Sequence, residues 1–285
     1  MKYVYIHNRG FGDYIINRYC RNFFSDIVGV DYISQYLIPL SHALDNDYNS
    51  FRQLEFSAKT PAFFNLKNSS FIEILDSLIQ LRRTLRLISF ENLECSIFLD
   101  RKRKFQDFFL GSNTVTPREL SNVYLSHIEF YQNAGHKKIK MLNEVNTIKR
   151  KGMIRIFPYS SNVRKDLSPT HLRQLSLALT VLNQEHEIIY MTGDKIADTN
   201  VPHSFIEKSF SALIDVIQKS KSVISCDSLP GHLSNFIGTP IFSILPSSNK
   251  YWLPYASYMN DWFLTFEEMK DIRKELLYKK LKVFV

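Results

Sequence analysis

Residues 222–238 of the chain, SVISCDSLPGHLSNFIG, run from an apolar strand pattern through a short polar turn into a helix pattern. Two earlier stretches repeat this order: RGFGD at 9–13 follows an apolar N-terminal run, and PYSSNVRK at 158–165 follows the apolar run 153–157. Small residues at the carboxyl end of a parallel strand expose backbone N–H groups, and the following helix adds the positive end of its dipole. The three turns therefore predict anion-binding loops in an α/β fold.

The length of 285 residues predicts two domains with separate cores. The polar stretch 143–152 separates them, and we place the boundary between 1–148 and 149–285. The second half alternates strands and helices, which predicts a parallel sheet with helices on both faces and a closing helix at 265–281. Its other predicted elements are strands at 153–157, 187–191, 222–226 and 240–245 and helices at 172–182, 211–219 and 231–237.

The first half is less regular. A strand, a tight glycine turn and a helix at its start predict a Rossmann-like opening. Between residues 26 and 65 no sustained period occurs, and only short strands and loops are predicted. The elements predicted in this half are strands at 2–7, 85–90 and 96–99 and helices at 13–24 and 69–83.

The sequence is basic, with 36 lysines and arginines against 28 acidic residues and a formal net charge of +8. This charge predicts an anionic partner, such as nucleic acid, anionic lipid headgroups or a phosphorylated saccharide. The clusters at 101–104 and 136–138 would place that partner on the first domain, unless they are solvated loops or helix faces. Motifs of RNA-binding type are missing and the cations are not concentrated on one helix, so we expect no nucleic-acid partner.

Cysteine usage and hydropathy indicate the compartment. Cys20, Cys95 and Cys226 are widely spaced and form no zinc-ligand pattern, which predicts free thiols in a reducing cytoplasm. Residues 1–7 alternate like a strand rather than a signal peptide, and no run approaches the roughly 20 apolar residues needed to cross a bilayer. We therefore expect a soluble cytoplasmic protein.

Two of the turns carry candidate catalytic groups. Asp13 stands where open α/β sheets place ligands and suits a general base, but aspartate also caps helices, which would stabilise the helix by roughly 0.5 to 2 kcal/mol without catalysis. In the second turn, the hydroxyls of Ser160 and Ser161 and the ammonium of Lys165 suit a departing diphosphate. A merely polar loop with a solvated lysine is the alternative.

The third turn carries an acid and an imidazole five residues apart. His232 could hydrogen-bond a phosphate or a sugar hydroxyl, while Asp227 could hold a hydroxyl or a turn N–H. The alternative is an Asx turn at the start of a helix, with His232 packed against its first turn. No other histidine or carboxylate sits at ligand spacing, so a metal is not expected. Together the three turns predict a nucleotide-sugar site between two α/β domains.

The three motifs, in this order and at these distances, resemble the heptosyltransferases of glycosyltransferase family 9. That family begins with a strand and a turn ending in Gly-Asp, here Gly12 and Asp13. Its second domain has a small-hydroxyl pair and a lysine before a helix, here Ser160, Ser161 and Lys165. A later strand ends in Asp-Ser/Thr-Gly-x-x-His, here the DSLPGH within the stretch quoted first.

This resemblance covers about 153–254 and, in the first half, only the first strand, turn and helix. It implies a GT-B architecture, two Rossmann-like domains with parallel sheets facing across a cleft, with the acceptor on 1–148 and the nucleotide-sugar donor on 149–285. It also implies an inverting transfer that needs no metal or other cofactor. The co-substrate would be a nucleotide-diphosphate sugar, with ADP-linked heptose as one candidate, and the product a bacterial surface glycan such as lipopolysaccharide.

The resemblance also assigns roles. Asp13 would be the general base that takes the proton from the acceptor hydroxyl, and Lys165 with Ser160 and Ser161 would stabilise the leaving diphosphate. Asp227, Ser228 and His232 would hold the donor, and Asp194 the nucleoside ribose. The basic first domain would receive an anionic, lipid-linked saccharide at the cytoplasmic face of the inner membrane.

One position departs from the family pattern. Leu229 stands where the family has glycine, and a bulky side chain reaches positive φ less readily and keeps a diphosphate further from the backbone. The donor can therefore sit differently or carry another sugar. Residues 45–47, Asp-Asn-Asp, match the DxD metal motif of another class of glycosyltransferases, but no strand pattern leads into them, and we interpret them as a surface turn. A GT-B protein that binds or assembles without catalysis is the alternative function.

Overall fold

The computed structural model describes residues 2–7, 10–44, 51–56, 69–89, 95–99, 114–137, 151–198, 200–270 and 275–285. The chain divides into two compact units. The first comprises Met1–Glu119 and Leu125–Met141, and the second comprises Leu120–Tyr124 and Leu142–Val285. The predicted boundary after residue 148, the Asp-Asn-Asp motif and the cluster 101–104 lie outside the described residues.

The first unit contains a five-stranded parallel sheet in the order β3-β2-β1-β4-β5. Its central strand carries Tyr3, Val4, Tyr5 and Ile6, all at most 2% exposed, as expected for a strand covered on both faces. The strands are β1 Lys2–Ile6, β2 Val28–Ser34, β3 Phe51–Phe56, β4 Cys95–Phe98 and β5 Thr114–Val115. The helices are α1 Phe11–Arg21, α2 Ile38–Leu44, α3 Phe71–Ser89 and α4 Val123–Asn133. The first two residues of α4, Val123 and Tyr124, belong to the second unit.

β2 is a seven-residue strand in a region predicted only as short strands and loops. Two of its residues, Gly29 and Asp31, do not fit the apolar pattern of a buried strand. A Cβ on Gly29 would come within 2.5 Å of the Tyr3 carbonyl oxygen, so glycine permits the close pairing with β1. Asp31 is polar yet buried, because Arg21 and His7 bind its carboxylate inside the unit.

The strand predicted at 85–90 is wrong, because α3 runs through these positions to Ser89. Short apolar runs fit a strand and a buried helix equally well. No glycine or proline lies between residues 71 and 89 to end the helix after residue 83.

The second unit contains a six-stranded parallel sheet in the order β11-β10-β9-β6-β7-β8, which confirms the predicted parallel topology. Its strands are β6 Ile154–Phe157, β7 His186–Met191, β8 His203–Ile206, β9 Ser222–Cys226, β10 Ile241–Leu245 and β11 Phe263–Thr265. Its helices are α5 Pro169–Val181, α6 Phe210–Gln218, α7 Leu229–Ile237, α8 Tyr255–Met259, α9 Phe266–Met269 and α10 Glu275–Phe284.

The C-terminal segment, predicted as one helix over 265–281, is interrupted. Residues Phe263–Thr265 pair with β10 as strand β11. The Thr265 hydroxyl then accepts a hydrogen bond from the Glu268 N–H and caps the short helix α9. The closing helix is α10, which buries Leu277, Leu281 and Phe284 against the core. Along the described part of the chain, no helix has the length and apolarity needed to cross a membrane.

Candidate functional site

The turns after β6, β7 and β9 lie at one edge of the second sheet, because all strands run parallel and the three are neighbours. β6 pairs with β7 on one side and with β9 on the other. The chain thus reverses its direction of winding at β6. Open α/β sheets bind ligands outside the carboxyl ends of the strands at such a switch point. The sheet edge beyond the carboxyl ends of β6 and β9 is therefore the candidate site.

The turn after β6 is held by its own hydrogen bonds. The Ser160 N–H donates to Asp166 Oδ1 at 2.7 Å, and Ser160 Oγ donates to the Asn162 carbonyl at 2.8 Å. Asn162 Oδ1 accepts from the Arg164 N–H and caps a 3-10 helix, Val163–Lys165. These bonds place Lys165 at the end of the turn. The side chain of Ser161 is exposed to solvent. Asp166, a residue that the sequence reading did not single out, anchors the loop.

An ion pair joins the second and third predicted motifs. Lys165 Nζ lies 2.6 Å from Asp227 Oδ2, and the lysine side chain is 34% exposed against 14% for the aspartate. The two residues are 62 positions apart, and the pairing of β6 with β9 brings them together. Asp227 thus binds a cation rather than closing an Asx turn. The Lys165 ammonium is partly exposed, so a ligand can compete with Asp227 for it.

His232 lies in the first turns of α7 and is buried. Its Nδ1 is 2.8 Å from the Tyr124 hydroxyl oxygen. Burial lowers the pKa of His232 to about 4, Asp227 opposes this shift, and Lys165 adds to it. The imidazole is therefore neutral at pH 7. With Tyr124 donating to Nδ1, Nε2 would carry the proton and act as a donor.

Tyr124 belongs to the short segment Leu120–Tyr124, which joins the second unit although it precedes most of that unit in sequence. Asn122 fixes the segment: its Nδ2 donates to the Leu253 carbonyl at 3.0 Å and its Oδ1 accepts from the Tyr124 N–H at 3.0 Å. The Val123 N–H donates to the Tyr251 carbonyl. No motif in the sequence marks Tyr124, because its role depends on contacts with residues more than 100 positions away.

The start of α7 shows how the backbone accommodates Leu229. Leu229 is the first residue of the helix, and the described non-glycine residues with positive φ are Asn183 and Asp261. The backbone here needs no left-handed conformation, so the leucine is accommodated without strain. Ser228 Oγ lies 3.1 Å from the Cys226 carbonyl oxygen and 2.9 Å from Ser225 Oγ, which ties the turn to the end of β9.

Cys226, the last residue of β9, does not provide a nucleophile at this site. Cys226 is a buried free thiol, as is Cys20, and burial raises the pKa of Cys226 to about 12. The thiol is therefore protonated and a weak nucleophile at neutral pH. Both buried free thiols were predicted from the sequence, whereas the side chain of Cys95 lies outside the described residues.

Asp194 closes the turn after β7. Its Oδ2 accepts from the Met191 N–H at 2.8 Å, and its own N–H donates to the Met191 carbonyl at 2.9 Å. Gly193 in this turn has φ of 94°, a conformation that favours glycine. The carboxylate thus has a structural role at the same sheet edge as the ion pair.

Asp13 lies in the first unit at the third position of α1. Its Oδ2 accepts a hydrogen bond from the Gly10 N–H at 3.2 Å. Gly10 is the N-cap residue, and Asp13 completes the cap from the third position of the helix. Gly12 and Leu229, predicted as turn residues, both belong to the first turn of a helix. The N–H groups of a first turn have no partner within their helix, so these positions keep the expected capacity for anions.

A metal site is not apparent in the part of the chain that the structure describes: no group of three or more histidine, cysteine, aspartate or glutamate side chains is arranged to hold an ion. In the cluster at 136–138, His136 Nδ1 contacts Asp26 Oδ2 at 3.2 Å, and the Lys137 N–H donates to Asp26 Oδ1. His136 therefore has a local structural role within the first unit.

The neutral state of His232 predicts a pH-dependent stability. Unfolded His232 titrates near 6.5, whereas the folded group titrates near 4, so unfolding takes up a proton below pH 6.5 and stability falls with pH over that window. We expect His232 to contribute a loss on the order of 1 to 2 kcal/mol between pH 7.5 and pH 5. The change in urea-unfolding free energy between these pH values, followed by tryptophan fluorescence, should shrink in His232→Gln.

The exposed His42 provides the control, because His42→Gln should leave that change intact. An undiminished pH dependence in His232→Gln would contradict the assigned cause. Asp31 does not complicate the comparison, since the pKa of its buried carboxyl is held below its usual value and its contribution is constant above pH 5.

Solved glycosyltransferases share this fold over the whole chain. E. coli heptosyltransferase WaaC with ADP is 10% identical, with TM-score 0.64 and 100% of both chains covered. A glycosyltransferase of family 9 from Veillonella parvula is 11% identical, with TM-score 0.60, 100% of this chain and 90% of that chain covered. E. coli ADP-heptose lps heptosyltransferase II is 11% identical, with TM-score 0.57 and coverage of 100% and 98%. No family model matches the sequence, and no curated protein matches it significantly.

At this level of identity the likeness is one of fold. Two parallel sheets with flanking helices, matched to these structures from end to end, confirm the predicted α/β class and the predicted resemblance to heptosyltransferases at the level of architecture. The chain has the fold of the GT-B glycosyltransferases.

Proposed function

We propose that the chain is a glycosyltransferase that moves a sugar from a nucleotide-diphosphate donor to a saccharide acceptor, by inversion and without a metal. The observation that carries the proposal is the Lys165–Asp227 pair at the switch point of the second sheet, 2.6 Å apart and beside the neutral His232. Similar folds solved with ADP support it and make ADP the first nucleotide to test.

The leaving group would meet the turn after β6. A departing diphosphate gains negative charge, and a positioned ammonium stabilises that charge as it develops. Lys165 supplies the ammonium, and its exposure allows a phosphate to replace Asp227 as its partner. Ser161 would add a hydroxyl donor from the same loop, and Ser160 would add one by exchanging its bond to the Asn162 carbonyl for a bond to the phosphate.

The donor would be held by the turns after β7 and β9. The neutral His232 would donate through Nε2 to a phosphate or sugar oxygen, and Ser228 would add a hydroxyl at the start of α7. Asp227 would pass from binding Lys165 to binding a sugar hydroxyl. Asp194, whose Oδ2 closes its turn, would offer Oδ1 to the ribose.

The acceptor side rests on Asp13 as the general base. The acceptor would be an anionic, lipid-linked saccharide of a bacterial surface glycan, such as lipopolysaccharide, met at the cytoplasmic face of the inner membrane. Heptose is the first sugar to test, because the similar solved proteins are heptosyltransferases. A GT-B protein without catalysis is the second candidate, favoured by the cap bond between Asp13 and the Gly10 N–H.

Nucleotide binding by the second unit tests the proposal. Lys165→Ala should weaken ADP binding about 10- to 100-fold in calorimetry, since a hydrogen bond to a charged group contributes about 1.5 to 3 kcal/mol. Arg164→Ala, in the same 3-10 helix and exposed, removes an equal charge without touching the ion pair and should bind normally. Equal ADP affinity in both variants, or no affinity for any nucleoside diphosphate in the wild type, would refute the assignment.

A further inference from the structure

One side of helix α3 in the first unit exposes large apolar side chains. Phe71 is 78% exposed, Ile72 77%, Leu75 48% and Ile79 40%. The opposite side carries Ser77, which is buried. The helix therefore packs on one side and presents a separate apolar surface to solvent, which we call the α3 face.

The spacing gathers these residues into one stripe. With 3.6 residues per turn, Phe71, Ile72, Leu75 and Ile79 span an arc of about 100°. Arg82 and Arg83 are also exposed, and they fall inside or within about 20° of that arc in the following turns. Over the side chains that the structure describes, the α3 face is thus apolar from Phe71 to Ile79 and cationic at Arg82 and Arg83.

The acidic residues of the helix lie off this face and have local partners. Glu73 Oε2 accepts from the Ser70 N–H at 2.6 Å and from the Ser70 hydroxyl at 2.8 Å. Asp76 Oδ2 accepts from Gln80 Nε2 at 2.7 Å. The stripe itself therefore consists of apolar and positively charged side chains.

We propose that the α3 face docks on an anionic phospholipid bilayer. Apolar side chains bordered by arginine are the composition of helices that lie in the membrane interface, where the apolar side enters the acyl boundary and the cations meet lipid phosphates. The net charge of +8 adds attraction to the same surface. The arginines favour lipid phosphates over a second copy of the chain, because the described carboxylates of α3, Glu73 and Asp76, already accept hydrogen bonds from Ser70 and Gln80.

The inference deepens the proposed function, since it names the surface through which a lipid-linked acceptor would be approached. Its evidence is independent of the nucleotide site. A chain that binds vesicles but no nucleotide would keep this inference and refute the proposed function, and the reverse result would do the opposite.

Vesicle co-sedimentation of the full chain tests the α3 face. We expect binding to vesicles of phosphatidylglycerol and phosphatidylethanolamine at least tenfold tighter than to phosphatidylcholine. Leu75→Ser/Ile79→Ser should weaken binding to the anionic vesicles at least tenfold. Arg82→Gln/Arg83→Gln should remove most of its salt dependence.

The matched control is Leu177→Ser/Val181→Ser on α5, an exposed apolar pair with the same spacing of four residues. It should bind vesicles as the wild type does, and circular dichroism should confirm that all three double variants are folded. Equal loss of binding in Leu75→Ser/Ile79→Ser and in this control, or unchanged binding in Leu75→Ser/Ile79→Ser, would overturn the proposal. A wild-type dimer that ignores vesicles and dissociates in Leu75→Ser/Ile79→Ser would assign the face to a second copy instead.

Discussion

Asp31→Asn should destabilise the first unit by about 3 to 5 kcal/mol, the largest stability effect expected in this chain. The Asp31 carboxylate accepts from Arg21 at 2.9 and 3.0 Å and lies 2.7 Å from His7 Nε2. All three side chains are at most 3% exposed. Asparagine keeps the shape and removes the charge, so Arg21 would remain buried without its counter-ion.

The charged groups around Asp31 increase the expected loss of stability. Burial lowers the pKa of His7, so the imidazole is neutral at pH 7 and brings no charge of its own. Arg18, also fully buried, donates to the Tyr14 hydroxyl at 3.1 Å and adds a second positive charge. Without Asp31, the two guanidinium groups would lose the carboxylate that this cluster supplies, in an interior that excludes water.

Asp215→Asn is the matched control, because the same change breaks an exposed pair between Asp215 in α6 and Lys219, the residue that follows the helix. Exposed pairs of this kind contribute less than about 1 kcal/mol. Both tryptophans, Trp252 and Trp262, lie in the second unit, so their fluorescence follows that unit during urea unfolding. Hydrogen exchange in β1 and β2 follows the first unit.

We expect faster exchange in β1 and β2 of Asp31→Asn and little change in Asp215→Asn. Exchange in these strands that matches the wild type would mean that the buried cluster contributes no net stability. Replacement of a whole buried ionic cluster by apolar residues can be neutral, so only the loss of one partner tests the pair.

The largest effect on activity is expected for Asp13→Asn. If Asp13 is the general base, the amide cannot take the acceptor proton, and turnover should fall about 10²- to 10⁴-fold. The amide oxygen can still accept from the Gly10 N–H, so the cap of α1 should survive with a change below about 1 kcal/mol. Asparagine therefore separates the catalytic role from the structural one, which alanine would confuse.

Nucleoside diphosphate release from ADP-heptose in the presence of heptose-free lipopolysaccharide measures this prediction. The rate should fall while donor affinity stays constant, because the base acts on the acceptor. Glu268→Gln is the control, since Glu268 occupies the same third helical position in α9 and caps Thr265 at 2.7 Å. Transfer by Asp13→Asn at the wild-type rate would leave Asp13 as a helix cap only.

The periodic parts of the chain were predictable, and the polar interior was not. From β6 to β10 the predicted strands and helices were correct apart from β8, because alternating apolar runs and short polar turns report burial directly. The short elements β8, α8 and β11 were not predicted. β2 was missed because Gly29 and the buried Asp31 break its apolar pattern, although contacts with Tyr3 and Arg21 favour both residues. α3 was cut short because an apolar run of its length also fits a strand.

The residues of the candidate site likewise include some that the sequence singled out and some that it did not. Local pattern alone singled out Lys165, Asp227 and His232, which the structure brings together, and their binding of an anion stays a prediction. No sequence motif marks Tyr124 or Asp166. Tyr124 reaches the site through its contact with His232, which is 108 residues away, and Asp166 holds the loop by accepting from the Ser160 N–H.

Local chemistry, written in residue order, was enough to establish the α/β class, the parallel second sheet and the three polar turns, because strand period and turn composition are properties of neighbouring residues. Three other features are fixed only by the tertiary structure: the ion pair between Lys165 and Asp227, the neutral state of His232 and the buried cluster around Asp31. Each depends on which strands pair and on how far water is excluded, and these quantities are set by residues far apart in the chain.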